Sequence, residues 1–133
     1  MTIKNKSLLL IEDDPLSADI YQTKFTGSGF EVKAVFDAEE AVGEIKKMQK
    51  GEKEVADFVL MEFSLISANG LNLVKLIRNH EKTKNIPLII LTGWTNEDLI
   101  EKGVDIKAEK YLLKSLYTPD NLVEMMMAIL KEK

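Results

Sequence analysis

The chain has 133 residues, 45% of them hydrophobic and 30% charged, a size and composition that suit one soluble domain around a single core. Its formal net charge of −4 argues against non-specific nucleic-acid binding, which needs a basic face to neutralise phosphates. The absence of cysteine excludes disulfides, thiol catalysis and thiolate metal sites.

Apolar runs alternate with helix-like patterns along the chain. Leu8-Leu9-Leu10-Ile11 predicts a strand, closed by Glu12-Asp13-Asp14. Pro15 suits the first turn of a helix, where Leu16, Ile20 and Phe25 are expected to share a face. Asp14 either caps that helix or faces outward. Gly27-Ser28-Gly29 stops the helix. Between Phe30 and Phe36, residues Phe30, Val32 and Ala34 alternate against Glu31 and Lys33, as on a partly exposed edge strand. Asp37 can cap a second helix in which Ala41, Val42, Ile45 and Met48 recur at helical spacing.

Gln49 to Glu54 is the most polar connection and too short to link domains. Phe58-Val59-Leu60-Met61 predicts a third strand that ends at Glu62. A loop containing Asn69-Gly70 then leads into a helix with Leu71, Leu73, Val74 and Ile77. Pro87 opens a fourth strand, Leu88 to Leu91, which leads to Thr92-Gly93. Thr95 or Asn96 can cap a short fourth helix running to about Gly103. A fifth strand surrounds Tyr111 and leads to Lys114, and Thr118-Pro119-Asp120 starts a fifth helix. The order is (βα)5, which predicts an α/β fold: a doubly wound parallel sheet with right-handed crossovers. Strands one, three, four and five are apolar almost throughout, as burial on both faces requires.

Ligands of open α/β sheets bind beyond the carboxyl ends of the strands. Glu12, Asp13, Glu62, Thr92 and Lys114 all stand at such ends, so three carboxylates, a hydroxyl and an ammonium are expected to converge. Mg2+ prefers oxygen ligands, commonly one or two carboxylates with water and phosphate oxygens. A lysine neutralises a further phosphoryl oxygen as a point charge, and a threonine hydroxyl can donate to one when it arrives.

Over essentially the whole chain, this series resembles the receiver domain of two-component response regulators. In that family an acidic pair after the first strand holds Mg2+, matching Glu12 and Asp13. The phosphoacceptor ends the third strand and is followed eight residues later by glycine, as Glu62 is by Gly70. Thr92-Gly93 matches the Thr or Ser and small residue after the fourth strand. Tyr111 and Lys114 match an aromatic switch residue and the lysine three places on. The resemblance implies a single flavodoxin-like domain over 1–133, strand order 2-1-3-4-5, without an output domain. It also implies Mg2+ held by Glu12, Asp13 and Glu62, a switch at Thr92 and Tyr111, and chemistry at Glu62, Thr92 and Lys114. The implied role is phosphorelay signalling rather than catalysis, with a histidine kinase or phosphotransfer protein as partner.

This chain departs from the pattern where the chemistry is most exacting. Glu62 replaces the family's aspartate and reaches up to ~1.5 Å further, the length of one C–C bond. Displacing a reacting group by about 1 Å can cost about 10²-fold in rate, so Glu62 either prevents phosphorylation or partly mimics the phosphorylated state. Ile66 and Ser115 replace two prolines, the second of which commonly follows a cis peptide, and Lys107 replaces a glycine. Two other functions fit parts of the pattern. One is a docking domain that has kept the fold without the phosphorylation. The other is a small Mg2+-dependent phosphatase of the haloacid dehalogenase type, which needs a nucleophilic aspartate where this chain has Glu12.

The remaining features admit ordinary readings. His80, the only histidine, sits at the polar end of the third predicted helix and reads as a surface residue. Trp94 either packs against its own loop or meets a partner, and Tyr111 is either core or a switch. In the last helix, Leu122, Met125, Met126 and Ile129 make one apolar stripe and Val123, Met127 and Leu130 a second. Either the helix lies deep in a groove, or the second stripe pairs two copies through the face of helix 4, strand 5 and helix 5. No run approaches the ~20 apolar residues of a membrane span, and the N-terminus lacks a signal-like stretch. No membrane association is expected, and the expected location is cytoplasmic.

Overall fold

The computed structural model describes residues 6–63, 68–92, 110–113 and 117–132. Its strands are β1 (Lys6–Ile11), β2 (Phe30–Val35), β3 (Phe58–Phe63), β4 (Leu88–Thr92) and β5 (Lys110–Leu113). They form one parallel sheet in the order β2-β1-β3-β4-β5, as the family resemblance implies. The described helices are α1 (Pro15–Gly27), α2 (Ala38–Gln49), α3 (Ala68–Arg78) and α4 (Pro119–Glu132). The helix expected between Thr95 and Gly103 lies outside the described residues.

Strand residues point alternately to the two faces of the sheet, which explains the unbroken apolar runs. Leu9, Ile11, Val59, Met61, Leu88 and Ile90 pack with Ile45 and Met48 of α2 and Ile77 of α3. Leu8, Leu10, Phe58, Leu60, Ile89 and Leu91 pack on the other face with α1 and α4. An aromatic ladder strengthens that second layer. Tyr21 stacks on Phe25 at 5.9 Å, Phe25 meets Phe30 edge-on at 6.2 Å, and Phe30 meets Phe58 likewise.

Local chemistry sets the helix ends as their sequences foretell. Asp14 caps α1, its carboxylate accepting from the Ser17 N–H at 3.0 Å, with Pro15 in the first turn. Asp37 caps α2 by accepting from the Glu40 N–H at 2.8 Å. At the start of α4, the Thr118 hydroxyl accepts from the Asn121 N–H, and the Asn121 side chain accepts from the Thr118 N–H. Gly29 takes a φ of 104° after Ser28, a turn that L side chains rarely adopt.

Three expectations need correction. Leu16 and Ile20 do not share a face with Phe25: they are 69% and 51% exposed, whereas Phe25 is fully buried. Nine residues from Leu16 to Phe25 make about two and a half helical turns, which puts them on opposite sides. Asn69-Gly70 belongs to the first turn of α3 rather than to the loop before it, and β3 runs one residue past Glu62. Finally, Val123 of the second C-terminal stripe is buried, and Met127 and Leu130 pack partly buried against the same core. The wide apolar arc of α4 fills the groove between the sheet and α1, which removes Val123 from any partner surface.

Candidate functional site

Strand register brings the acidic residues together. Ile11 pairs with Met61, so the next residues, Glu12 and Glu62, stand at one level on neighbouring strands. The Glu12 N–H donates to the Val35 carbonyl at 3.1 Å, which ties the end of β1 to β2. Glu12 is 1% exposed, and its Oε1 accepts from the Asp14 N–H at 3.0 Å. That bond fixes the turn between β1 and α1. Asp13 is exposed and Glu62 half-buried. One ligand oxygen from each of Glu12, Asp13 and Glu62 can be chosen so that all lie within 4.8 Å of one another.

This set fits a hard divalent cation. All donors are carboxylate oxygens, and two oxygens on opposite sides of a Mg2+ stand about 4.2 Å apart, twice the ~2.1 Å ligand distance. A small swing of the exposed Asp13 covers the difference. Glu12 also needs nearby positive charge, because a carboxylate removed from water is costly unless compensated.

Asp14 does not join the cluster, since its carboxylate caps α1 and also accepts from the Ser17 hydroxyl at 2.7 Å. Thr92 ends β4 at 2% exposure and pairs with Phe63, one residue beyond Glu62. Tyr111 occupies β5 opposite Ile90 in the backbone register. Lys114, Trp94, Ile66, Lys107 and the Lys114–Ser115 bond lie outside the described residues. His80 serves the turn after α3: its Nδ1 accepts from the Lys82 N–H at 3.1 Å, and its carbonyl accepts from Thr83 and Lys84.

Two features were missed in the sequence. The first is the exposed outer face of α1. A helical wheel separates Leu16 and Ile20 from Phe25 and would have revealed it. The second is a charge cluster at Glu44, whose side chain is 10% exposed. Lys53, Lys33 and Lys47 approach it at 3.3, 3.6 and 4.0 Å. Burial pushes the Glu44 carboxyl up, but Lys53, Lys47 and Lys33 together hold it below its usual value. Cavities of about 310 and 280 Å³ flank this cluster, the second lined by Ser7 and Ala56 toward the opposite end of the sheet. Neither is lined by the three clustered acids.

Comparison with known proteins sets these features in a family. The response regulator receiver domain profile matches residues 8–127. The transcriptional regulatory protein GltR of Pseudomonas aeruginosa is 27% identical, over 98% of this chain and 51% of its own length. The DNA-binding response regulator MtrA of Mycolicibacterium smegmatis is 24% identical, over 98% of this chain and 53% of its own. The chain thus spans about half the length of these relatives. Among solved structures, one similar fold is the receiver domain of sensor histidine kinase PA1611 from Pseudomonas aeruginosa, with a magnesium ion coordinated in its active-site cleft. It aligns with a TM-score of 0.76 at 24% identity, covering 92% of this chain and 95% of that one. The chemotaxis response regulator CheY4 of Vibrio cholerae aligns at 0.74 and 21% identity, covering 93% and 98%.

Proposed function

The chain belongs to the response regulator receiver domain family of two-component signalling, and from that premise we propose that it is a receiver whose acceptor place is held by a glutamate that takes up no phosphoryl group. The observation that carries this reading is the register of Glu62 beside Glu12, with Asp13 completing a set of oxygens within 4.8 Å. The acidic site is built as for phosphoryl transfer, while its central carboxylate stands one methylene too far forward. Glu12, Asp13 and Glu62 would hold a divalent cation, Mg2+ by preference, which when bound would offset the charge of oxygens brought to the site.

Glu62 also sets an anion forward of the strand end. One carboxylate carries a single charge and two oxygens against about −1.5 to −2 and three for a phosphoryl group, so any mimicry of the phosphorylated state is incomplete. Thr92 and Lys114 are the groups that would meet that anion, and Tyr111 the switch that reads it. The expected partner is a histidine kinase or phosphotransfer protein in the cytoplasm, and the domain signals by binding rather than by catalysing turnover. Among the described residues no helix is long and apolar enough to cross a membrane.

Incubation with acetyl phosphate and Mg2+, followed by intact-mass measurement, tests the reading. Glu62→Asp should gain about 80 Da, the mass of one phosphoryl group, while the natural chain stays unmodified. Rapid stoichiometric labelling of the natural chain at Glu62 would overturn it.

A further inference from the structure

β2 ends the sheet, and among the described residues β1 is the only strand that pairs with it. Its outer edge presents backbone donors and acceptors that a further strand can complete. Which residues present them follows from one bond. The Val35 carbonyl accepts from the Glu12 N–H, so Val35 turns its backbone toward β1. Backbone groups alternate sides along a strand, so Glu31 and Lys33 also bond inward. Phe30, Val32 and Ala34 then turn their N–H and C=O groups to the open edge.

The side chains follow the same rhythm. Val32 and Ala34 are half-buried and pack against the layer beneath α1 and α4. Glu31 and Lys33 are exposed on the other face, where cavities of about 280 and 310 Å³ leave room beside them. Lys33 reaches Glu44 of α2 at 3.6 Å, which identifies that face as the α2 side. A lysine on an edge strand ordinarily repels a further strand. Here Glu31 stands two residues away on the same face, so the strand carries its own complement.

A second copy, turned about a two-fold axis perpendicular to the sheet, brings its β2 alongside in the antiparallel sense. With the axis at Val32, Val32 meets its counterpart, and Phe30 meets Ala34 of the second copy. These are the outward-bonding residues, and each such pair exchanges two N–H···O bonds. Glu31 then lies opposite Lys33 of the second copy, and Lys33 opposite its Glu31. Those are the positions between the bonded pairs, where Cα atoms come to about 4.5 Å and side chains stand closest. An axis at Phe30 or Ala34 keeps the bonding but sets neither charge against its opposite. An axis at Glu31 or Lys33 sets like charges together and turns the bonding groups away.

We propose that β2 pairs with β2 of a second copy in the register centred on Val32, joining the two five-stranded sheets edge to edge. The acidic clusters then lie at opposite edges of the joined sheet, neither facing the other. The pairing does not rest on the reading of Glu62.

Sedimentation of the full chain up to about 1 mM, the Kd range of small, weak interfaces, should show a monomer–dimer equilibrium. Amide hydrogen exchange, compared at low and high protein concentration, should slow severalfold at Phe30, Val32 and Ala34. Exchange at Glu31 and Lys33, already bonded to β1, should stay unchanged. Glu31→Lys should weaken dimerisation at least about tenfold, since like-charged pairs replace opposite ones. Lys33→Glu should do the same. Mixed in equal amounts, the two variants should form a heterodimer as tight as the natural dimer, because each lysine then faces a glutamate. Circular dichroism checks that each variant is folded, and the exchange pattern of the natural chain decides if one is not. A natural chain that stays monomeric at about 1 mM overturns the proposal. So does a dimer whose slowed amides lie on β5 or α4, or one that Glu31→Lys leaves intact. A mixture of the two folded variants that stays monomeric overturns the register centred on Val32.

Discussion

Glu12, Asp13 and Glu62 turn three carboxylates toward one point, and their mutual repulsion has to be offset there. A cation bound only by the folded chain stabilises it by RT ln(1 + [L]/Kd), about 2.7 kcal/mol at a hundred times Kd. Thermal unfolding of the natural chain should therefore shift upward with Mg2+ by several degrees. Asp13→Ala removes one ligand at an exposed position and should lose most of that shift. Equal shifts in both proteins would remove Asp13 from the site. Glu12, Asp13, Glu62 and Thr92 were readable in the sequence because each closes an apolar run, and parallel strands deliver such residues to one edge. The detailed geometry was not readable. Nothing in the spacing says that the Glu12 carboxylate accepts from the Asp14 N–H, since that depends on the φ and ψ of one tight turn.

At the level of elements, strands were legible through their unbroken apolar runs, and helix starts through Asp14-Pro15, Asp37 and Thr118-Pro119. Helix faces were less so, because grouping apolar residues without tracking 100° per residue joined Leu16 and Ile20 to Phe25. Long-range polar ties were invisible for another reason: their partners are far apart in sequence. Gln49 of α2 donates to the Leu76 carbonyl at 3.0 Å and to the Thr83 hydroxyl at 3.2 Å. Thr83 in turn donates to the Ile77 carbonyl at 2.7 Å. Together these bonds fasten α2 to α3 and to the turn that follows it. Glu44 does the same for α2, β2 and the connection before β3, through Lys33, Lys47 and Lys53.

Because the folded Glu44 carboxyl is held below its unfolded value, its stabilising effect is present above the unfolded range. It is lost as pH falls through the lowered folded value. Glu44→Gln should cost about 1.5–3 kcal/mol at pH 7, the range for hydrogen bonds to charged groups. The gap between the two proteins should narrow below about pH 4, near the ordinary range for a glutamate. Urea unfolding at pH 7 and pH 3 measures it. A gap that stays constant or widens in acid would show that Glu44 stabilises the fold by packing rather than by charge.

Across the whole molecule, the sheet divides the interior into two layers that share strands but few side chains. Phe25 belongs to the layer beneath α1 and α4, and Ile45 to the layer beneath α2 and α3. Alternate residues of each strand face opposite ways, so a gap opened at Phe25 is lined by Tyr21 and Phe30 and leaves the packing at Ile45 untouched. Substitutions more than about 7–10 Å apart with no shared partners usually add within about 0.5 kcal/mol. Phe25→Leu should cost about 1–3 kcal/mol and Ile45→Val about 0.5–1.5 kcal/mol. The double variant should lose their sum to within about 0.5 kcal/mol. Phe25→Leu combined with Phe30→Leu is the contrasting case, because those rings meet at 6.2 Å. That pair should depart from additivity by about 0.5–1.5 kcal/mol, the worth of an aromatic contact beyond its buried area. Urea denaturation followed by circular dichroism gives both comparisons, since a domain of this size unfolds in one cooperative step. Coupling between Phe25 and Ile45 as strong as between Phe25 and Phe30 would mean that the sheet transmits strain between the layers. A receiver in that condition would carry changes at α1 through to α2 and α3, whereas two independent layers confine a change at α1 to its own side of the sheet.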